Sequence, residues 1–324
     1  MPEGLRRILV AGGSGFIGRH LVRRLVASGH DVLTVDNHVT SIAPEPETTE
    51  QILEADVAEL DIDLVPEVDA VVHLASIAAP ALFLTHAEAI ISANVDGTRR
   101  LLDLAARDGA RLIYASSSEV YGSGGGRGSD VGMTEDHVAH HELLSEKSPY
   151  STAKLVGEEL VRSAWAQGVD ACAVRLFNVY GRGMDRTLSG GGRVISAFIW
   201  ALEQGEPLPI GGDGEQVRSF TWVDDCVDGL EGLLNTPNRL PPVLNLGSDQ
   251  FVSINELANL MAEVWGQALT TRPLDRRTGD ADWRRPDCRA LRELTGWAAE
   301  TSLRKGLGTM QRLSVPSVPD KPGT

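Results

Sequence analysis

Cysteine is scarce in this chain: Cys172, Cys226 and Cys288 stand far apart, with no CxxC pair and no Cys/His cluster beside them. That arrangement signals neither a disulfide framework nor a zinc site. Such sparse usage fits a reducing compartment. Long apolar runs are also missing, since no stretch approaches the roughly 18 residues of a membrane span. The opening MPEGLRRILVAGG passes from a short charged lead straight into a strand and a glycine turn, without the apolar region of a secretion signal. A soluble, cytoplasmic chain with no membrane partner is expected. Positive charge is in deficit: 30 Lys and Arg against 45 Asp and Glu leave a formal net charge of -15. That balance argues against a nucleic-acid partner, because phosphate backbones are met by clustered basic residues. An anionic small ligand remains compatible if arginines gather locally.

What is present is a long alternation of two periodicities. Residues 6–10, 31–35, 70–74, 111–115 and 171–176 read as short buried strands. Between them residues 16–27, 87–107 and 151–166 carry apolar side chains at helical spacing. Strand and helix in turn predict an α/β fold, a doubly wound parallel sheet with helices on both faces. The pattern changes after Arg175, where GRGMDRTLSGGGR is rich in Gly and Arg; a helix over 194–203 and a turn-rich IGGDGEQ follow. A smaller C-terminal lobe is expected there. Residues 220–234 and 243–246 read as a return to the sheet, and 254–265, 288–295 and 301–313 as further helices. The division predicted is 1–174 plus 219–246 for the main domain, 175–218 plus 247–313 for the lobe, and 314–324 as a mobile tail. At 324 residues the chain is long enough to bury such a core without metal or disulfide. The run GSGGGRGS, 122–129, is too glycine-rich for regular structure.

Gly12, Gly15 and Gly18 fall between the first strand and the first helix. This spacing lets backbone approach a pyrophosphate lying on the helix N-terminus, as in the Rossmann dinucleotide-binding unit. Asp36 ends the next strand, where a carboxylate meets a ribose 2′-hydroxyl and repels a 2′-phosphate. NAD is therefore the expected cofactor rather than NADP. Asp56 and Val57, after another short strand, are candidate adenine contacts. Further along, Tyr150 and Lys154 form YxxxK, which on a helix stacks both side chains on one face. The ammonium is then expected to lower the phenol pKa and make Tyr150 a base. SSSEVYG, 116–122, follows an apparent sheet strand and supplies hydroxyls able to share a proton with a substrate oxygen.

With these parts in this order, residues 5 to 313 resemble the extended short-chain dehydrogenase/reductase family, the NAD-dependent epimerases and dehydratases of nucleotide sugars. HLAS (73–76), NVDGT (94–98), RLFNVYG (175–181) and GDGEQVRSFTWVDD (212–225) carry the resemblance further. It implies a cofactor set of Gly12, Gly15, Phe16, Ile17, Gly18, Asp36, Asp56, Val57, Leu74, Ala75 and Asn94, with Tyr150 and Lys154 on the nicotinamide side. It implies substrate contacts at Ser117, Ser118, Asn178, Arg193, Val194, Arg218, Arg277, Arg284 and Arg285, and catalytic roles for Ser117, Glu119, Tyr150, Lys154 and Arg218. It also implies a homodimer built on two helices of each subunit, near 87–107 and 151–166.

Within the family, Ser117-Ser118-Glu119 is informative. The dTDP-glucose dehydratases carry an adjacent Asp-Glu pair at this place, and Ser118 takes the Asp position here, which disfavours dehydration. UDP-glucuronate decarboxylases carry Thr-Ser-Glu, and Glu119 matches their functional glutamate. GGRVISAFIWAL (191–202), QVRSF (216–220) and RRPD (284–287) are similar to theirs as well. The chain departs from them in IAAPALF, with Phe83 near the place of their tyrosine, in YSTAK where they have YDEGK, and in HHELLSEKSP. The resemblance implies decarboxylation of UDP-glucuronate by way of a 4-keto sugar. A 4-epimerase of UDP-glucuronate or UDP-glucose would use the same Ser117, Tyr150 and Lys154, and a non-catalytic NAD-binding scaffold is the reading from another class.

Among the remaining residues, His73 is expected to pack near the cofactor without acting as a base. His137, His140 and His141 read as a polar loop, since no carboxylate or cysteine stands at ligand spacing. Trp222, Trp283 and Trp297 are expected in the core or at the lobe interface.

Overall fold

The computed structural model describes residues 4, 6–40, 51–123, 132–137, 145–184, 193–276 and 278–314. The first half of the chain runs β1 (Arg7–Ala11), α1 (Phe16–Ala27), β2 (Asp31–Asp36), β3 (Gln51–Glu54), β4 (Ala70–His73), α2 (Ala87–Asp108), β5 (Arg111–Ser117), α3 (Ser148–Ala166) and β6 (Ala171–Leu176). The second half continues with β7 (Val179–Tyr180), α4 (Val194–Gln204), β8 (Leu208–Gly211), β9 (Val217–Ser219), β10 (Thr221–Trp222), α5 (Val223–Asn235) and β11 (Val243–Leu246). It ends in β12 (Phe251–Ser253), α6 (Ile254–Trp265), β13 (Thr271–Leu274), β14 (Trp283–Arg284), α7 (Arg289–Thr295) and α8 (Leu303–Ser314).

Seven strands form one sheet in the order β11-β6-β5-β4-β1-β2-β3, with every neighbouring pair parallel. A parallel sheet is covered on both faces, so its strands are apolar at successive positions rather than alternating. The run Arg7–Ala11 shows how: Ile8 and Val10 join the core under α1 and α5, while Leu9 and Ala11 join the core under α2 and α3. Both sets are fully buried, and Ile8, Leu9 and Val10 each contribute about 1.5–3 kcal/mol of transfer free energy. The order reverses between β1 and β4, so their connections leave toward opposite sides and open a crevice at the carboxyl ends of the strands, the usual ligand position in such sheets.

A third core belongs to the lobe, where Phe198 and Ile199 of α4 pack with Leu257 and Met261 of α6 and with Leu307 and Met310 of α8. The lobe also carries small sheets: β12 and β14 flank β9, β13 pairs with β8, and β10 with β7. Two sequence expectations are corrected. Residues 220–234 hold only two strand residues before α5, because Val227, Leu230, Leu233 and Leu234 recur at helical spacing and cover the sheet beside α1. And α7 with Trp297 packs on that same Rossmann-side core rather than in the lobe, the Trp297 indole N–H donating to the Asp225 carbonyl at 2.9 Å. Trp222 packs in the lobe core. Of the mobile tail expected over 314–324, Ser314 instead ends α8, and residues 315–324 together with the histidines 140 and 141 lie outside the described residues. Among the described residues no helix is long and apolar enough to cross a membrane.

Candidate active site

The turn after β1 is built by close approach. A Cβ on Gly12, whose φ is +80°, would lie 2.6 Å from the Ala75 amide nitrogen, and one on Gly18 would lie 2.1 Å from the Gly12 carbonyl oxygen. Only hydrogen atoms fit at these two positions. Gly15 caps α1 without a side chain, and the first turn of the helix carries no acidic residue. Its N–H groups and the positive end of its dipole therefore suit an anion. At the end of β2, Asp36 is buried and accepts the Ser14 amide at 3.0 Å and the His38 amide at 2.9 Å. The fit to NAD follows from these features: a diphosphate on the glycine turn, and a carboxylate at the place of the adenosine ribose.

A cavity of about 640 Å³ runs from this turn into the lobe. Gly12, Gly15, Phe16, Ile17, Gly18 and Leu74 line its cofactor end; Ser117, Ser118, Glu119, Tyr150 and Lys154 its middle; Asn178, Arg193, Val194, Arg218 and Arg284 its lobe side. Asp56, Val57, Ala75 and Asn94 stand behind the lining. Asp56 accepts from Asn37 and the Ala58 amide, Val57 packs on Gly97, and Asn94 reaches the wall through Ser76, whose hydroxyl accepts its amide at 2.9 Å. Arg285 is not brought to the cavity: its guanidinium lies 4.1 Å over the Phe251 ring and 5.3 Å from that of Trp283. Arg277 falls outside the described residues.

Pro149 in the first turn of α3 fixes where that helix begins. Tyr150, Lys154 and Glu158 then follow at four-residue spacing, all buried. Gly157 lets this face press against β5, since a Cβ there would lie 2.4 Å from the Tyr114 hydroxyl. Lys154 donates to the Ala115 carbonyl at 2.6 Å and lies 4.8 Å over the Tyr114 ring. The next residue, Ser116, donates to Glu158 at 2.5 Å, and Arg175 grips the same carboxylate at 2.7 and 2.9 Å. The end of β5 is thus clamped to α3. Ser117 caps the short turn that follows, accepting the Glu119 amide at 3.2 Å, and lies near enough to the Tyr150 hydroxyl to favour its ionised form. Phe83 stacks flat on Tyr150, with ring centroids 4.6 Å apart and 4° between planes.

Electrostatics here differ from the sequence expectation. Burial pushes the Tyr150 phenol up to about 12, partly offset by the nearby Ser117, and lowers the Lys154 ammonium to about 7 against the raising effect of Glu158. Desolvation, which opposes both charged forms, outweighs the pairing anticipated from the i,i+4 spacing. His73, fully buried, is pushed down to about 3 by burial and by Lys154, so it stays neutral and donates to the Ala93 carbonyl. It is no base.

Sequence reasoning missed a charge cluster where the lobe meets the sheet. Arg284 donates to Glu119 at 2.5 Å and to the Gly122 carbonyl at 2.8 Å. Arg218 pairs with Asp280 at 2.9 Å, and Lys147 stands 3.2 Å from Asp280 and 3.5 Å from Glu119. Burial would raise both carboxyls, yet Arg284 and Lys147 hold Glu119 down at about 2, and Arg218 and Lys147 do the same for Asp280. Lys147 was legible in one respect, standing a single turn before Tyr150; Asp280, 130 positions further on, carried no signal.

A glycine turn at a sheet's switch point, with Ser, Tyr and Lys converging on the same cavity, defines an NAD-dependent enzyme of the short-chain dehydrogenase/reductase type. The model of the NAD dependent epimerase/dehydratase family matches residues 8–247, and the chain belongs to that family. It is 36% identical over 309 residues to UDP-glucuronic acid decarboxylase 1 of Xenopus tropicalis, covering 93% of this chain and 70% of the relative. Its fold is similar to that of MoeE5 in complex with UDP-glucuronic acid and NAD, at 34% identity and a TM-score of 0.81, over 94% of this chain and 98% of that one. A UDP-glucuronic acid 4-epimerase from Bacillus cereus, in complex with UDP-glucuronic acid and NAD, gives 26% identity and a TM-score of 0.82 over 95% and 98% of the two chains.

Proposed function

We propose that this chain is an NAD-dependent UDP-glucuronate decarboxylase. The observation that carries the reading is one cavity in which Ser117, Glu119, Tyr150 and Lys154 face a lobe side lined by Arg218 and Arg284. A proton-transfer set thus adjoins groups suited to an anionic sugar. NAD, when bound, would supply the hydride acceptor and donor for a sugar carbon. Gly12, Gly15 and Gly18 would hold its diphosphate, Asp36 its ribose hydroxyls, and Lys154 the ribose beside the nicotinamide.

Tyr150 as phenolate takes the proton of the C4 hydroxyl as the C4 hydride departs, leaving a ketone at C4. The C6 carboxylate is then β to a carbonyl. As the C5–C6 bond breaks and CO2 leaves, the electron pair moves to the C4 oxygen, where the Ser117 and Tyr150 hydroxyls donate hydrogen bonds to the developing charge. C5 then needs a proton. Held near 2, Glu119 is ionised at neutral pH and acts as an acceptor that orders a water at C5; that water gives C5 its proton, and the hydroxide left combines with the departing CO2 as bicarbonate. Return of hydride to C4, with the Tyr150 proton returning to oxygen, gives UDP-xylose.

A second reading, 4-epimerisation of UDP-glucuronate or UDP-glucose, is favoured by the likeness to the Bacillus cereus epimerase and needs only the Ser117, Tyr150 and Lys154 set, with the ketone turned over before reduction. Incubation with UDP-glucuronate and NAD, followed by mass spectrometry, separates the two. Loss of CO2 is expected; an unchanged mass with inverted C4 stereochemistry would overturn decarboxylation. A scaffold role would leave no turnover in the parent enzyme as well as in Tyr150→Phe, with NAD still bound. We further propose a cytoplasmic homodimer through α2 and α3, which pack together and leave Ile91 and Val156 partly exposed; light scattering checks the mass in solution.

A further inference from the structure

We propose that Lys147 binds the carboxylate of an acidic sugar in this cavity and thereby sets its preference for a uronate over a neutral hexose. The inference rests on the reading above of a nucleotide-linked sugar oxidised at C4.

Lys147 caps α3, three residues before Tyr150, and lines the cavity beside it. In a uronate the carboxylate hangs from the ring carbon next to C4. A sugar with its C4 hydroxyl at Tyr150 therefore brings that carboxylate to the neighbourhood of one helical turn away. The charges there are unequal. Lys147, Arg218 and Arg284 are three cations joined through two anions, Glu119 and Asp280, so the cluster is one negative charge short of neutral.

The distances single out which cation accepts that charge. Glu119 lies 2.5 Å from Arg284 but 3.5 Å from Lys147. Asp280 lies 2.9 Å from Arg218 and 3.2 Å from Lys147. Each carboxylate has its shorter contact with an arginine, so drawing the ammonium away leaves both anions paired. Withdrawing either arginine would leave a part-buried carboxylate with only its longer contact to Lys147. The arginines are tied down besides, Arg284 to the Gly122 carbonyl and Arg218 to that of Val217. Their side chains are 2% and 9% exposed, against 16% for Lys147. The ammonium, on a flexible stem and accepting any approach direction, is the exchangeable cation of the three. A uronate carboxylate takes it over from Glu119 and Asp280; a neutral hexose brings nothing to exchange. Two other cations of the lining are held elsewhere, Arg193 donating to the Ala78 carbonyl at 3.2 Å and Arg276 to the Asp280 carbonyl at 2.8 Å and to the Asp282 carboxylate.

The test uses NAD-loaded full-length enzyme carrying Tyr150→Phe, which prevents turnover, and calorimetric titration with UDP-glucuronate and with UDP-glucose. Lys147→Met is expected to weaken UDP-glucuronate about tenfold or more, as for loss of one charge-assisted hydrogen bond, and to shift UDP-glucose by less than about twofold. Lys147→Arg recovers most of the loss. Retained UDP-glucose binding in Lys147→Met reports an intact site. Equal weakening of both ligands, or of neither, overturns the assignment of Lys147. If enzyme with Tyr150 intact turns over UDP-glucuronate while Lys147→Met keeps full affinity for it, the Lys147 assignment alone fails; if that enzyme shows neither turnover nor preference for the uronate, the substrate reading falls with it.

Discussion

Replacing Lys154 by methionine is expected to abolish turnover and yet stabilise the protein at neutral pH, with a sign that reverses in alkali. Burial lowers the Lys154 ammonium from 10.5 to about 7, and each tenfold change in that equilibrium is worth about 1.4 kcal/mol. The unfolded chain keeps its proton up to about pH 10.4. Between the two values it binds more protons than the folded state, so parental stability rises with pH across that window. Below about pH 7 the full penalty on the folded state, about 5 kcal/mol, is present. Methionine removes it, but it also removes the donor to the Ala115 carbonyl at 2.6 Å, and a buried acceptor left alone costs about 1–3 kcal/mol. The variant should therefore be about 2–4 kcal/mol more stable at pH 6, equal to the parent near pH 9, and less stable by pH 10. Urea denaturation of both proteins from pH 6 to 10, with matched m values, measures the difference directly. A pH-independent difference would refute the desolvation argument, whatever its size.

The same two groups shape the activity profile. Lys154 titrates near 7 and Tyr150 near 12, so the fraction carrying both ammonium and phenolate grows about tenfold per pH unit below 7 and is level above it. kcat/KM should follow, and a sharp maximum near neutrality would contradict it. Arg284→Met leaves the part-buried Glu119 carboxylate with Lys147 alone at 3.5 Å and should cost about 1–3 kcal/mol in denaturant titration, while adding Glu119→Gln recovers part of that loss. Gly18→Ala would place a Cβ 2.1 Å from the Gly12 carbonyl oxygen, so reduced NAD retention after gel filtration is expected, together with a lower Tm.

Much of the fold was legible because local physics dictates it. The runs at residues 70–73 and 171–176 are apolar at every position or nearly so, which a strand covered on both faces requires. Phe16–Ala27 declares its helix by spacing, with the bounds expected. Residues 220–234 misled because FTWVDD opens with β-favouring aromatic and branched side chains, and the helical repeat of α5 is apparent only from Val227 onward. Trp297 gave no sign of its partner, since it meets Asp225 across 72 positions.

The site divides along the same line. Sequence alone determined the parts whose geometry lies within a few residues: the glycine turn of Gly12, Gly15 and Gly18, the stacking of Tyr150 and Lys154 on one helix face, and Ser117 at a strand end. Spacing along a strand or helix sets direction, so those side chains were placed before any tertiary contact was known. Only the tertiary structure decided what depends on burial and on distant segments. Adjacent arginines part company there, Arg284 turning into the cavity onto Glu119 while Arg285 turns out over Phe251. Lys147 meets Asp280, and the environment of Lys154 pulls its pKa far below that of a surface lysine. Charge energies follow desolvation and through-space distance, and neither is written in the order of residues along the chain.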